Sequence, residues 1–192
     1  HGPLDEPGLR AKLGAEVLAR CQVVQHDAEG PLTDTGILYG DQPLRLNPIF
    51  AAAQLKIAVG TVLPHSFAAY SGGAKLVLPG LANRAAVARS HKFVQLGLRG
   101  GIDVERNQFR REAEDLARQI GLRFVVCALC NQQRELTDLV CGDLVTAHRR
   151  ACELAQANYS TPLRETPDVL ILNAYPKDVD LVQSSSALAS LR

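Results

Sequence analysis

Between Pro64 and Lys75 the sequence reads Pro-His-Ser-Phe-Ala-Ala-Tyr-Ser-Gly-Gly-Ala-Lys, and a second histidine, His91, follows sixteen residues after the lysine. Gly72 and Gly73 let a backbone approach a ligand without a Cβ in the way, and amides entering a following helix can face an anion. A phosphate-bearing ligand beside Lys75 fits that chemistry. The segment is not a Walker loop, because the GxxxxGK[ST] spacing is absent and Leu76 follows the lysine. Imidazoles add proton exchange near neutrality or metal ligation. The bland reading of His91, in register with Val87 and Arg84 on a helix face, is a hydrogen-bonded boundary residue.

The elements that must position these residues follow from periodicity. Asp5 to Cys21 carries Leu9, Leu13, Val17 and Leu18 at helical spacing, with Asp5 as N-cap and Pro7 in the first turn. Cys21 to His26 and Pro43 to Leu46 lean to strand, separated by a loop rich in Gly, Pro and Asp, and Leu55 to Val62 reads as a buried strand. Polar and glycine residues directly after such a strand are where an α/β protein places its ligand. Asn83 is placed to cap a helix running toward Leu96. Ile102, Phe109, Ala113, Leu116, Ala117 and Ile120 form the stripe of another, stopped at Gly121. Phe124 to Leu129 and Leu136 to Cys141 read as a hairpin, and Leu144, Ala147, Ala151, Leu154 and Ala155 mark a further helix. Tyr159 to Pro167 is expected to be a linker, Val169 to Leu172 a strand, and Asp178 to Leu188 a loop and helix.

Composition excludes several classes. The 192 residues are 46% hydrophobic, enough for a core, and 21 Lys and Arg against 20 Asp and Glu leave a formal charge of +1. That balance gives no broad basic surface for nucleic acid. The longest apolar runs, such as Phe124 to Cys130, fall far below the ~20 residues of a membrane span. Cys21, Cys127, Cys130, Cys141 and Cys152 are an odd count, so reduced thiols and a cytoplasmic location are expected. Cys127 and Cys130 form a C-x-x-C, with Cys141 and His148 nearby, yet a zinc site is disfavoured because residues i and i+3 of a strand face opposite ways. His148, within an apolar stripe, is expected to make a structural hydrogen bond, and His26 to hold a loop. The chain contains no Met and starts at His1, which reads as part of a longer protein.

The run VLPHSFAAYSGGAKLVLPGLANRAAVARSH (62–91) resembles the lactate racemase family, enzymes that use a nickel-pincer nucleotide, a pyridinium mononucleotide holding nickel through two sulfurs and one ring carbon. HDA at His26 to Ala28, CGDLVTAH at Cys141 to His148 and YPKDVDLVQ at Tyr175 to Gln183 extend the resemblance over essentially the whole chain. It implies an α/β fold. Residues 1–160 would form a central catalytic, cofactor-binding domain with a mixed sheet flanked by helices, and 161–192 a linker and the start of a segment returning to a second α/β domain.

The resemblance further implies roles. His65 falls at one catalytic histidine and His1 at the other, Lys75 at the lysine that can bond the cofactor's thiocarboxylate, His91 at the nickel ligand and Gln183 at a substrate-site glutamine. Gly72 and Gly73 would lie against the cofactor. Two positions depart from the pattern: Gly2 stands where relatives often have Arg, and Ser186 where a lysine would help hold a lactate carboxylate. The second departure favours a larger 2-hydroxy acid or a sugar acid. The implied activity is racemisation or epimerisation by reversible hydride transfer to the cofactor, with paired histidines exchanging the hydroxyl proton. Proteins of cofactor biosynthesis would be partners. Without the partner domain the chain alone is not expected to turn over. A different class of function, a non-catalytic nickel-nucleotide binding module or carrier, would use the same residues.

Overall fold

The computed structural model describes residues 3–93, 103–131, 133–160, 165, 167–169, 171–175 and 184. Two short helices, α1 (Glu6–Leu13) and α2 (Ala15–Arg20), replace the single expected helix. Asp5 caps α1 as expected, its carboxylate accepting from the Gly8 amide at 2.9 Å. Gly14 then takes φ +82, which ends α1 and starts α2. Cys21 to His26 is not a strand; the strand of this region, β1 (Thr33–Tyr39), lies in the expected loop and pairs antiparallel with β2 (Gln42–Leu46). Gly40, at φ +68, and Asp41 form the two-residue turn between them.

After a short helix α3 (Pro48–Ala52), strand β3 (Ile57–Thr61) runs parallel to β6 (Phe124–Cys130), which pairs antiparallel with β7 (Leu136–Asp143). This mixed three-stranded sheet, in the order β3-β6-β7, is flanked by helices. Between β3 and β6 come a minimal hairpin of β4 (Pro64–His65) and β5 (Ala69–Tyr70), one 3₁₀ turn (Gly73–Leu76), and helices α4 (Arg84–His91) and α5 (Gln108–Gln119). Helix α6 (Thr146–Tyr159) follows β7. Phe109, Ala113, Leu116 and Ala117 bury the expected stripe of α5, and Ala147, Ala151 and Ala155 that of α6. They join Val125, Cys127 and Leu129 of β6 and Leu44 and Leu46 of β2 in one core.

Asn83 precedes α4, but its side chain does not cap that helix. Instead its Oδ1 accepts from the Arg45 amide at 3.2 Å and its Nδ2 donates to Pro43 O at 3.4 Å, tying α4 to β2. Asn107 is the cap that the pattern did not single out, accepting from the Arg110 amide at 2.9 Å at the start of α5. Cys127 and Cys130 do sit on opposite faces of β6, one buried and one half-buried. The described residues of the expected strand at 169–172 take no strand pairing, and Val169 and Ile171 are 79% and 91% exposed. His1, Gln183 and Ser186 lie outside the described residues. The expected linker and the expected helix toward residue 188 lie largely outside them too.

Candidate functional site

The site starts where β3 leaves the sheet. Ser71 closes the β4–β5 excursion back on that strand: its amide donates to Leu63 O at 2.8 Å, and its hydroxyl donates to Thr61 O and accepts from the Leu63 amide, both at 2.9 Å. Gly72 (φ +73) and Gly73 (φ +59) then turn the chain into the 3₁₀ turn that carries Lys75. A Cβ on Gly72 would lie 3.0 Å from Thr61 O, and one on Gly73 only 2.7 Å from Cδ2 of His148. Both glycines are therefore required by sign of φ and by the packing beneath them. Both are buried.

Phe67, 4% exposed, is the common neighbour of the three expected cofactor and catalytic side chains within the described residues. His65 meets it edge-on at 4.7 Å between ring centroids, His91 at 5.7 Å in a tilted arrangement, and the Lys75 ammonium lies 6.0 Å from its centroid. Phe109 of α5 backs the ring at 5.1 Å. Residues spread over 27 positions of sequence, 65 through 91, thus converge on one aromatic ring.

The hydrogen bonds of the two imidazoles fix their tautomers. The Nδ1 of His91 lies 2.8 Å from Val87 O, a group that only accepts, so this nitrogen carries the proton and Nε2 holds the lone pair. That is the state a metal ligand needs, on an exposed side chain. For His65 the order reverses: Nδ1 accepts from the Ala68 amide at 3.4 Å, leaving Nε2 as the proton-bearing nitrogen.

Beneath the loop lie three groups that sequence reasoning left without a role at the site or assigned only to structure. Arg110 of α5, fully buried, donates to Gly72 O at 3.0 Å, to Ala68 O at 3.2 Å and to Tyr70 O. Burial lowers its pKa to about 10, so it is charged at neutral pH. Asn107 donates to Phe67 O at 2.8 Å. His148 of α6 donates from Nε2 to Ser71 O at 2.8 Å, the structural bond expected of it, while its Nδ1 lies 3.5 Å from the Cys152 thiol. Burial, with Arg110 nearby, pushes the His148 pKa down to about 3, and burial pushes the Cys152 thiol up to about 12. His148 is thus neutral and Cys152 a protonated donor. His26 does hold a loop, its Nε2 3.0 Å from Ala82 O. The cleft of about 340 Å³ bordered by Glu29, Arg45, Asn83 and Arg84 involves none of the Phe67 group.

Comparison with known proteins adds the family. The model of the lactate racemase N-terminal domain matches residues 1–98, half of the chain and the whole β3-to-α4 site. The chain belongs to the lactate racemase family. It is 26% identical over 189 residues to lactate racemase of Thermoanaerobacterium thermosaccharolyticum, covering 95% of this chain and 44% of that protein. Lactate racemase of Lactiplantibacillus plantarum is 24% identical over 195 residues, covering 99% and 46%. The chain therefore spans less than half the length of these relatives. Among solved structures, the apoprotein of the Thermoanaerobacterium lactate racemase superposes with a TM-score of 0.74 at 27% identity, over 80% of this chain and 38% of that one. A Thermotoga maritima protein superposes at 0.63 and 19% identity over 82% and 44%, a likeness of fold alone. Among the described residues no helix of this family member is long and apolar enough to cross a membrane.

Proposed function

We propose that the chain carries the cofactor-holding residues of a racemase or epimerase of 2-hydroxy acids that works by reversible hydride transfer to a nickel-pincer nucleotide. The observation that supports this reading is the convergence of His65, Lys75 and His91 on Phe67. The donor set fits the group: an amine able to bond a thiocarboxylate, and an imidazole whose Nε2 lone pair suits nickel. When bound, the nucleotide supplies a pyridinium ring that accepts the α-hydrogen of the substrate as hydride and returns it.

The chain's own residues divide the remaining work. Lys75 tethers the cofactor, His91 ligates nickel through Nε2, and Gly72 and Gly73 form the floor. His65 exchanges the proton of the substrate hydroxyl, and its 3.4 Å bond to the Ala68 amide is long enough to break cheaply when the ring changes tautomer. His1 is proposed as the opposite base and Gln183 as a substrate contact. Ser186 in place of a lysine favours a larger hydroxy acid or a sugar acid over lactate. Cofactor-biosynthesis proteins would supply the nucleotide, in a cytoplasm that keeps the five thiols free.

The test is intact-mass spectrometry and metal analysis on the full-length protein made together with the cofactor pathway, followed by stereochemical exchange across a panel of 2-hydroxy acids. Wild type should carry nickel and the added mass, Lys75→Ala should lose the covalent mass, and His91→Ala should lose nickel. His65→Ala should keep both while exchange falls by about 10²-fold or more. Absence of both nickel and nucleotide from wild type would overturn the reading. Cofactor bound with no exchange on any substrate would leave a carrier.

A further inference from the structure

The loop that bears His65 and Lys75 has little regular structure of its own, and five of its carbonyls accept from side chains elsewhere. Asn107 holds Phe67 O, His148 holds Ser71 O, and one guanidinium, Arg110, gathers the carbonyls of Ala68, Tyr70 and Gly72. Buried carbonyls must find donors; Ala68 O and Gly72 O also accept from the Tyr70 and Lys75 amides, at 2.6 and 3.3 Å, so Arg110 reinforces a turn that the backbone begins. Arg110 is unusual among them. It is fully buried, and the nearby carboxylate of Glu114, hydrogen-bonded by Arg149 at 2.7 and 2.9 Å, acts on it only through space, so the hydrogen bonds Arg110 makes among the described residues go to the loop carbonyls. A buried cation matched by three carbonyls of one short loop ties the loop's shape to the position of a single planar group.

We propose that Arg110 is the positioning residue of this site: its guanidinium sets the curvature of Ala68 to Gly72 and thereby the placement of His65 and Lys75 about Phe67. It acts through the backbone, remote from substrate. The inference rests on the reading of His65 and Lys75 as site residues, but its first test does not depend on any activity. Arg110→Gln and Arg110→Lys are compared with Leu116→Ala, a buried position about 9 Å further along the same helix, which weakens α5 without reaching the loop.

Amide hydrogen exchange over residues 66–75 is read at matched thermal stability. Exchange in Arg110→Gln should be at least tenfold faster than in Leu116→Ala, with Arg110→Lys between them because it keeps the charge and loses the planar fork. Equal exchange in Arg110→Gln and Leu116→Ala would overturn the proposal. In full-length, cofactor-loaded protein, Arg110→Gln should lower kcat tenfold or more with KM changed less than twofold. A loosened loop with unchanged kcat in active protein would also overturn the proposal. If wild type is itself inactive on every hydroxy acid, the racemase reading falls and the exchange experiment still decides whether Arg110 sets the loop.

Discussion

Phe67 joins the candidate site to the core because its ring touches His65, His91, Lys75 and Phe109 at once. Phe67→Leu keeps an apolar side chain but removes two edge contacts and the aromatic face, each worth about 0.5–1.5 kcal/mol. Urea unfolding should show a loss of about 1–3 kcal/mol. The same variant should move the ring ¹⁵N and ¹H signals of both His65 and His91, and unchanged signals would mean the two histidines do not share this neighbour. Gly73→Ala is expected to cost about 2 kcal/mol or more, since φ is left-handed and the new Cβ meets the His148 ring. Adding His148→Ala should recover part of that cost in a double-mutant cycle, because the steric component vanishes and the backbone component stays. The motif made His65, Lys75 and His91 legible from sequence. Phe67 was not, as a lone aromatic reads as core. Arg110 hid in a charged run, Arg110-Arg111-Glu112, that resembles a solvated face. Its phase was the available signal: Arg110, Ala113 and Ala117 stand at i, i+3 and i+7 on the buried stripe.

Helices α5 and α6 do more than cover the sheet, since each sends a polar side chain under the same loop. The α6 contribution makes stability depend on pH. His148 is neutral in the fold down to about pH 3, whereas an unfolded histidine takes up a proton near 6.5. Its contribution is fully present above that value and falls as pH drops through the window to about 3, by up to about 1.4 kcal/mol per pH unit. Urea midpoints at pH 7 and pH 4.5 should differ more in wild type than in His148→Asn. Equal slopes would show that His148 does not carry the acid sensitivity. At this scale the sequence showed α5, α6 and the β6–β7 hairpin well, because their periods are clean and their lengths ordinary; it placed β3 but read as buried a strand whose Ile57 and Val59 are exposed. It hid β1, whose Asp34, Thr35 and Gly36 look like loop, although Gly40-Asp41 is the kind of two-residue turn that announces a hairpin. It also joined α1 to α2, because the helical spacing continues across Gly14 while the backbone does not.

Across the whole molecule, the sheet has two unlike faces. Val125, Cys127 and Leu129 of β6 are buried under helices, while Val59 of β3 and Leu139 of β7 are 67% and 56% exposed. Leu129→Ala should therefore cost about 2–5 kcal/mol, and Val59→Ala within about 0.5 kcal/mol, by the same unfolding measurement. A large loss at Val59 would mean that this face is covered in solution. The parallel pairing of β3 with β6 has a different kind of consequence. Ile57 lies beside Phe124, and His65, Lys75, His91 and Arg110 all fall in the crossover between those partners. A chain leaving the ribosome thus cannot assemble the site until β6 has emerged, and closing so long a crossover is slow beside helix formation. The contacts that gather His65, Lys75 and His91 around Phe67 are thus among the last to form, so a nascent chain lacks the assembled pocket until the sheet is complete.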